Sequence, residues 1–109
     1  MTRKNIDTAE AIGRIRNILP SGSGVNYEWR IEIKKDAVVC DNAYDFMNET
    51  GFYDGVYPFR LRFTKDGMKL NFRGLTPYGR RCAKEEGLRD YLEELFWPVK
   101  DDVWKARAL

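Results

Sequence analysis

The basic residues of this chain are the ones whose types and spacing could do chemistry. Residues 56–84 carry Arg60, Arg62, Lys65, Lys69, Arg73, Arg80, Arg81 and Lys84 against the single Asp66. Residues 85–102 reverse the balance, with Glu85, Glu86, Asp90, Glu93, Glu94, Asp101 and Asp102 against Arg89 and Lys100. A formal net charge of +2 over 109 residues thus conceals a positive block followed by a negative one. Within the positive block, Phe59, Leu61 and Phe63 alternate with Arg60 and Arg62, and Met68, Leu70 and Phe72 alternate with Lys69 and Arg73. Strand periodicity then places Arg60, Arg62, Lys69 and Arg73 on one face of a hairpin. Like charges opposed across strands cost a few tenths to about 1 kcal/mol per pair. An anion docking there, phosphate or carboxylate, offsets that cost. Solubility is the competing explanation.

The segment after Thr76 extends the pattern. Thr76-Pro77 reads as an N-cap hydroxyl followed by proline at the first helical position. Arg80 and Arg81 lie near that start with Lys84 a turn later, while Glu93 and Glu94 lie near the far end. Both placements oppose the helix dipole, and a phosphate at the N-terminus would relieve the first. Arg81, Glu85, Arg89 and Glu93 recur every fourth residue, so an intrahelical ladder of alternating sign is the alternative. Glu86, Asp90 and Glu94 form an acidic stripe, either solvated or a contact surface for a basic partner. Tyr53, Tyr57 and Tyr78, beside the basic residues, are candidates for stacking on nucleic-acid bases.

Other chemistry is hard to assemble. The chain has no histidine, which removes imidazole base catalysis and the commonest zinc ligand. Cys40 and Cys82 form no CxxC pair and read as buried reduced thiols. Asp41, Asp45, Glu49 and Asp54 lack the alternating oxygen pattern of a calcium loop. No catalytic residue, cofactor or metal is therefore assigned, and the expectation is a binding protein rather than an enzyme. Met1-Thr2-Arg3-Lys4 is followed by no apolar signal segment, and no apolar run reaches bilayer length, so the expected location is the cytoplasm, without membrane contact.

The elements that must position these residues follow from pattern. Asp7 and Glu10 suggest a capping box, and Ala11, Ile12, Ile15, Ile18 and Leu19 an amphipathic helix over about 8–19. Pro20-Ser21-Gly22-Ser23-Gly24 reads as a flexible connection. Val25, Tyr27, Trp29, Ile31 and Ile33 alternate as the inward face of a strand, Lys35-Asp36 turns, and Ala37–Cys40 returns. Asp41–Gly51 reads as a short helix with Ala43, Phe46 and Met47 on one face. Asp54-Gly55 marks a turn, Pro58 belongs at a strand start or sheet edge, and Lys65-Asp66-Gly67 closes a hairpin. Past Thr76, Leu88, Tyr91, Leu92, Leu95 and Phe96 are out of phase with Leu75, Tyr78 and Cys82, which predicts a break at Gly87. Pro98 ends the second piece, leaving 99–109 as a loosely packed tail with Trp104 as an anchor. The fold class expected is α+β: one domain over 1–109, with an antiparallel sheet of about four strands and N- and C-terminal helices on one face.

Two resemblances bear on function. The element order resembles a double-stranded RNA-binding domain, and Arg80-Arg81-Cys82-Ala83-Lys84 looks like that family's basic helix start. The likeness implies RNA binding through Arg80, Arg81 and Lys84, although the family's preceding glycine-rich run is missing. Ser21–Trp29, Asn42-Ala43-Tyr44, Gly51–Gly55 and Leu88–Glu93 look like small accessory proteins of phages and other bacterial mobile elements, a class that includes anti-CRISPR inhibitors. This likeness implies a non-enzymatic inhibitor docking on a host defence protein or nucleoprotein in the bacterial cytoplasm. Direct nucleic-acid binding and a homodimeric interaction module are the alternatives, and monomer and homodimer both stay open.

Overall fold

The computed structural model describes residues 2–45 and 55–108, with side chains from Thr8 onward. The order is α1 (Thr2–Ile18), β1 (Arg30–Ile33), β2 (Val38–Asp45), β3 (Val56–Thr64), β4 (Gly67–Phe72), α2 (Pro77–Glu85), α3 (Leu88–Phe96), a 3-10 turn (Trp97–Val99) and α4 (Lys100–Ala106). The strands form one antiparallel sheet in the order β1-β2-β3-β4, so the fold is α+β.

Helix α1 begins well before residue 8. Asp7 therefore lies within the helix rather than at its start, since no proline or glycine in residues 2–7 stops the helix from running back. Its Ala11, Ile15 and Leu19 repeat every fourth residue and are buried. The connection that follows contains a hydrogen-bonded turn. Gly22 and Val25 exchange both backbone hydrogen bonds, at 2.8 and 3.0 Å, across Gly22, Ser23 and Gly24 with positive φ. Gly24 cannot be replaced without movement, since a Cβ there would sit 2.4 Å from the Tyr44 ring.

The first strand is half the expected length, and the cause is a two-residue bulge. Val25 bridges Tyr44 and Arg30 pairs with Asp41. Four residues separate the first partners and two separate the second, so the extra pair bulges out. Tyr27 leaves the core as a result and is 79% exposed. Trp29 stays inside, where its ring meets Phe59 and Phe96 edge-on and its Nε1 donates to Ser21 Oγ at 2.9 Å.

Residues 41–45 continue β2 and are not helical. Cross-strand pairing with residues 56–60 of β3 and burial of Tyr44 outweigh the local helical pattern. Phe46, Met47 and Gly51 of the expected helix lie outside the described residues. Pro58 sits within β3, a central strand, rather than at a start or an edge. The amide of Arg73 donates to the Pro58 carbonyl, so the polar side of residue 58 faces β4, which ends at Phe72. The missing proline N–H therefore removes no bond to β2.

Val38, Cys40 and Tyr44 of β2, Tyr57, Phe59, Leu61 and Phe63 of β3, and Leu70 of β4 form one buried cluster with Ile15, Leu88, Leu92, Phe96 and Val103. Burial of each large side chain contributes roughly 1.5–3 kcal/mol. Thr76 caps α2, its Oγ1 accepting from the Gly79 amide at 3.0 Å. Gly87, with φ of 63°, separates α2 from α3. The segment expected to be a loose tail forms α4, whose Val103 is fully buried.

Candidate anion-binding surface

The alternation of β3 and β4 puts Arg60, Arg62, Lys69 and Arg73 on the face opposite the buried cluster, and the register arranges them in rows. One row crosses all four strands as Arg30, Asp41, Arg60 and Asn71, and the next as Glu32, Val39, Arg62 and Lys69. Arg73 follows β4, opposite Pro58. Five cations therefore share this face with the carboxylates of Glu32 and Asp41.

The ladder fixes which of them touch. Residue 58 directs its polar groups toward β4, and residues 60 and 62 do the same by alternation. Toward β2, Arg60 and Asp41 are then a non-hydrogen-bonded pair, the arrangement in which opposed side chains come closest. Asp41 accepts from Arg60 Nε at 2.7 Å and Nη2 at 2.9 Å, and from Arg73 Nη1 at 3.1 Å. The hydrogen bonds from Arg60 hold the Asp41 carboxyl below the ordinary carboxylate range; the charges of Arg60, Arg73 and Arg30 add to them, while partial burial works the other way. The same bonds, with the charge of Asp41, raise Arg60 further above its ordinary value.

Asp41 thus orients two guanidiniums without cancelling the face. Arg62 and Lys69 oppose each other directly and have no ion-pair partner among the described residues. Glu32 lies 3.6 Å from Lys34. Asp41 was missed as a member of this face because Asp41–Gly51 read as helix, and Arg30, which alternation turns outward on the first strand, because its row with Asp41 and Arg60 is set by the register. The signal was weak: Val38, Cys40 and Tyr44 share one parity, but polar Asn42 interrupts it and Val39 is buried on the other side, so β2 alternates only in part.

Comparison with known protein families, with curated proteins and with solved structures yields no match for this chain. The surface must be read from its own chemistry.

The remaining candidates are divided among several places. Arg80 and Lys84 line a cleft of about 400 Å³ with Phe72, Ala83, Gly87, Arg89 and Asp90. Arg81 is exposed on α2 and does not line it. The expected ladder is reduced to one link, Arg89 to Glu93 at 3.6 Å, because Gly87 interrupts the helix between Glu85 and Arg89. Arg89 turns instead to the sheet, where Nη1 donates to the Leu70 carbonyl at 2.7 Å and the guanidinium lies 5.5 Å from the Phe72 ring centre. The acidic stripe is broken in the same way. Asp90 and Glu94 are exposed on α3, but Glu86 belongs to the end of α2.

Of the proposed stacking rings, Tyr57 is buried at 2% exposure on the inner face of β3, and strand parity explains why. Tyr78 is 70% exposed on α2, and Tyr53 lies outside the described residues. Cys40 is buried and Cys82 half-buried, both as free thiols. Among the described residues no three His, Cys, Asp or Glu gather as a metal site, and no helix is long and apolar enough to cross a membrane. Glu49 and Asp54 fall outside the described residues.

Proposed function

We propose that this protein is a non-enzymatic binding module that docks its basic sheet face on the phosphate backbone of a nucleic acid or nucleoprotein. The observation that carries the reading is the Arg62–Lys69 pair, two like charges held in register with no carboxylate partner among the described residues, beside an Arg60–Asp41–Arg73 cluster. Such a face is strained alone and relieved by an anion. Its composition favours phosphate contact over base stacking, because the outward residues described on β1–β4 include no aromatic ring. In the setting implied by the likeness to mobile-element proteins, the partner is a host defence nucleoprotein in the cytoplasm, and occupancy of its surface is the inhibitory act. Self-pairing through this face is disfavoured, since it would bring two positive surfaces together.

Capture from host lysate, with and without nuclease, tests the reading together with mobility shifts on duplex and single-stranded nucleic acid. The expected result is a captured nucleoprotein and binding that falls steeply with salt, as each phosphate contact releases counterions. Unchanged capture by the double variant R62E/K69E would overturn the assignment of this face.

A further inference from the structure

We infer that the cleft between α2, α3 and β4 is a separate small-molecule site, built for a planar base carrying a phosphate, of mononucleotide size. Its volume of about 400 Å³ falls in the range of small-ligand pockets, roughly 300–1,000 Å³. Arg80 and Lys84 stand one turn apart on α2 and both line it, and Arg89 enters from α3. Arg89 is paired with Glu93, so Arg80 and Lys84 against Asp90 leave the cleft an excess of positive charge suited to a phosphate monoester. Its floor supplies the second half of the ligand. Phe72 contributes a ring, and the Arg89 guanidinium lies over that ring, held there by its bond to the Leu70 carbonyl. A guanidinium plane fixed over an aromatic ring is a surface on which a nucleobase stacks. Arg89 is positioned before any ligand arrives, so little ordering remains to be done on binding. The sheet face has the opposite character, with cations and no ring among its described residues, which separates the two sites chemically.

The test is titration of the full chain with adenosine monophosphate, ribose 5-phosphate and inorganic phosphate, read by amide chemical shifts. Saturable shifts at Phe72, Arg80, Gly87 and Arg89 are expected, with adenosine monophosphate bound about tenfold tighter than ribose 5-phosphate through stacking. The variant R80A/K84A changes two exposed side chains and should weaken binding about tenfold or more. R62E/K69E on the sheet face should leave this affinity within about twofold, additivity holding for separated sites, even if it abolishes polyanion binding. Equal affinity for adenosine monophosphate and ribose 5-phosphate, no saturable shift at millimolar ligand, or unchanged binding by R80A/K84A would each overturn the inference. Loss of binding only in R62E/K69E would do so too, while failure of the sheet-face reading alone would leave the cleft standing.

Discussion

Arg62 of β3 and Lys69 of β4 stand opposite each other in the ladder, and no carboxylate among the described residues pairs with either. Opposed like charges make the fold slightly less stable than it could be. A charge reversal at one of them should therefore separate stability from binding. R62E is expected to gain a few tenths to about 1 kcal/mol by pairing with Lys69, seen in urea unfolding. The same variant should lose affinity for duplex nucleic acid or heparin and show a shallower salt dependence. A variant that is both more stable and equally tight in binding would leave the pair without a role in docking.

Asp41 makes a pH-dependent prediction with a definite sign. Its carboxyl is held below the ordinary value of 3.8 in the folded chain. The unfolded chain therefore takes up the proton first as pH falls, and the stabilisation from the cluster is fully present above the unfolded value and lost on descent through the folded one. D41N should flatten that part of the acid limb of a stability profile, and at neutral pH it should destabilise by about 1 kcal/mol or less, as expected for a partly exposed pair. It should also strengthen polyanion binding, because Arg60 and Arg73 lose their internal partner. An acid limb unchanged in D41N would show that other carboxylates govern it.

How much of this was legible beforehand depended on whether local pattern and tertiary context agreed. The β3–β4 hairpin, the Thr76 cap and the break at Gly87 each rest on a short-range rule, and each is present in the structure. The failures share a different origin. Val25–Ile33 alternates perfectly in sequence, yet a bulge set by the register with Tyr44 and Asp41 expels Tyr27. Asp41 to Asp45 suits a helix locally, yet pairing with β3 outweighs it. Because Asp41 was placed in the wrong element, the carboxylate that organises Arg60 and Arg73 could not be found. The cleft was invisible for a similar reason: Arg89 looked like one rung of a helical ladder, and its contacts with Leu70 and Phe72 depend on how α3 packs beside β4.

Arg89 therefore also guards a strand edge. The Leu70 carbonyl points away from β3 by the alternation of the ladder, and the Arg89 Nη1 bond at 2.7 Å satisfies it. R89M should cost about 1 kcal/mol through loss of this bond and speed amide exchange along β4. It should also raise concentration-dependent self-association, since an open edge is a template for strand addition. Sedimentation of R89M as an unchanged species across a wide concentration range would show that the edge is protected by something other than this side chain.

The two thiols should differ sharply in reactivity. Cys40 is fully buried on the inner face of β2, and burial, aided by the charge of Asp41, pushes its thiol up to about 12. Almost no thiolate exists there at neutral pH, and the thiolate is the nucleophile. Cys82 is half-buried on α2, packed against the rim of the core and less enclosed than Cys40. Alkylation of the native protein should therefore modify Cys82 alone, and C82S should be inert until unfolded. The labelling rate of Cys40 in C82S then reports opening of the β2–β3 core, so denaturant that weakens the sheet should accelerate it in step with global unfolding. Rapid labelling of native C82S would mean that the centre of the sheet opens locally, and the rigid platform required by the docking face would be lost.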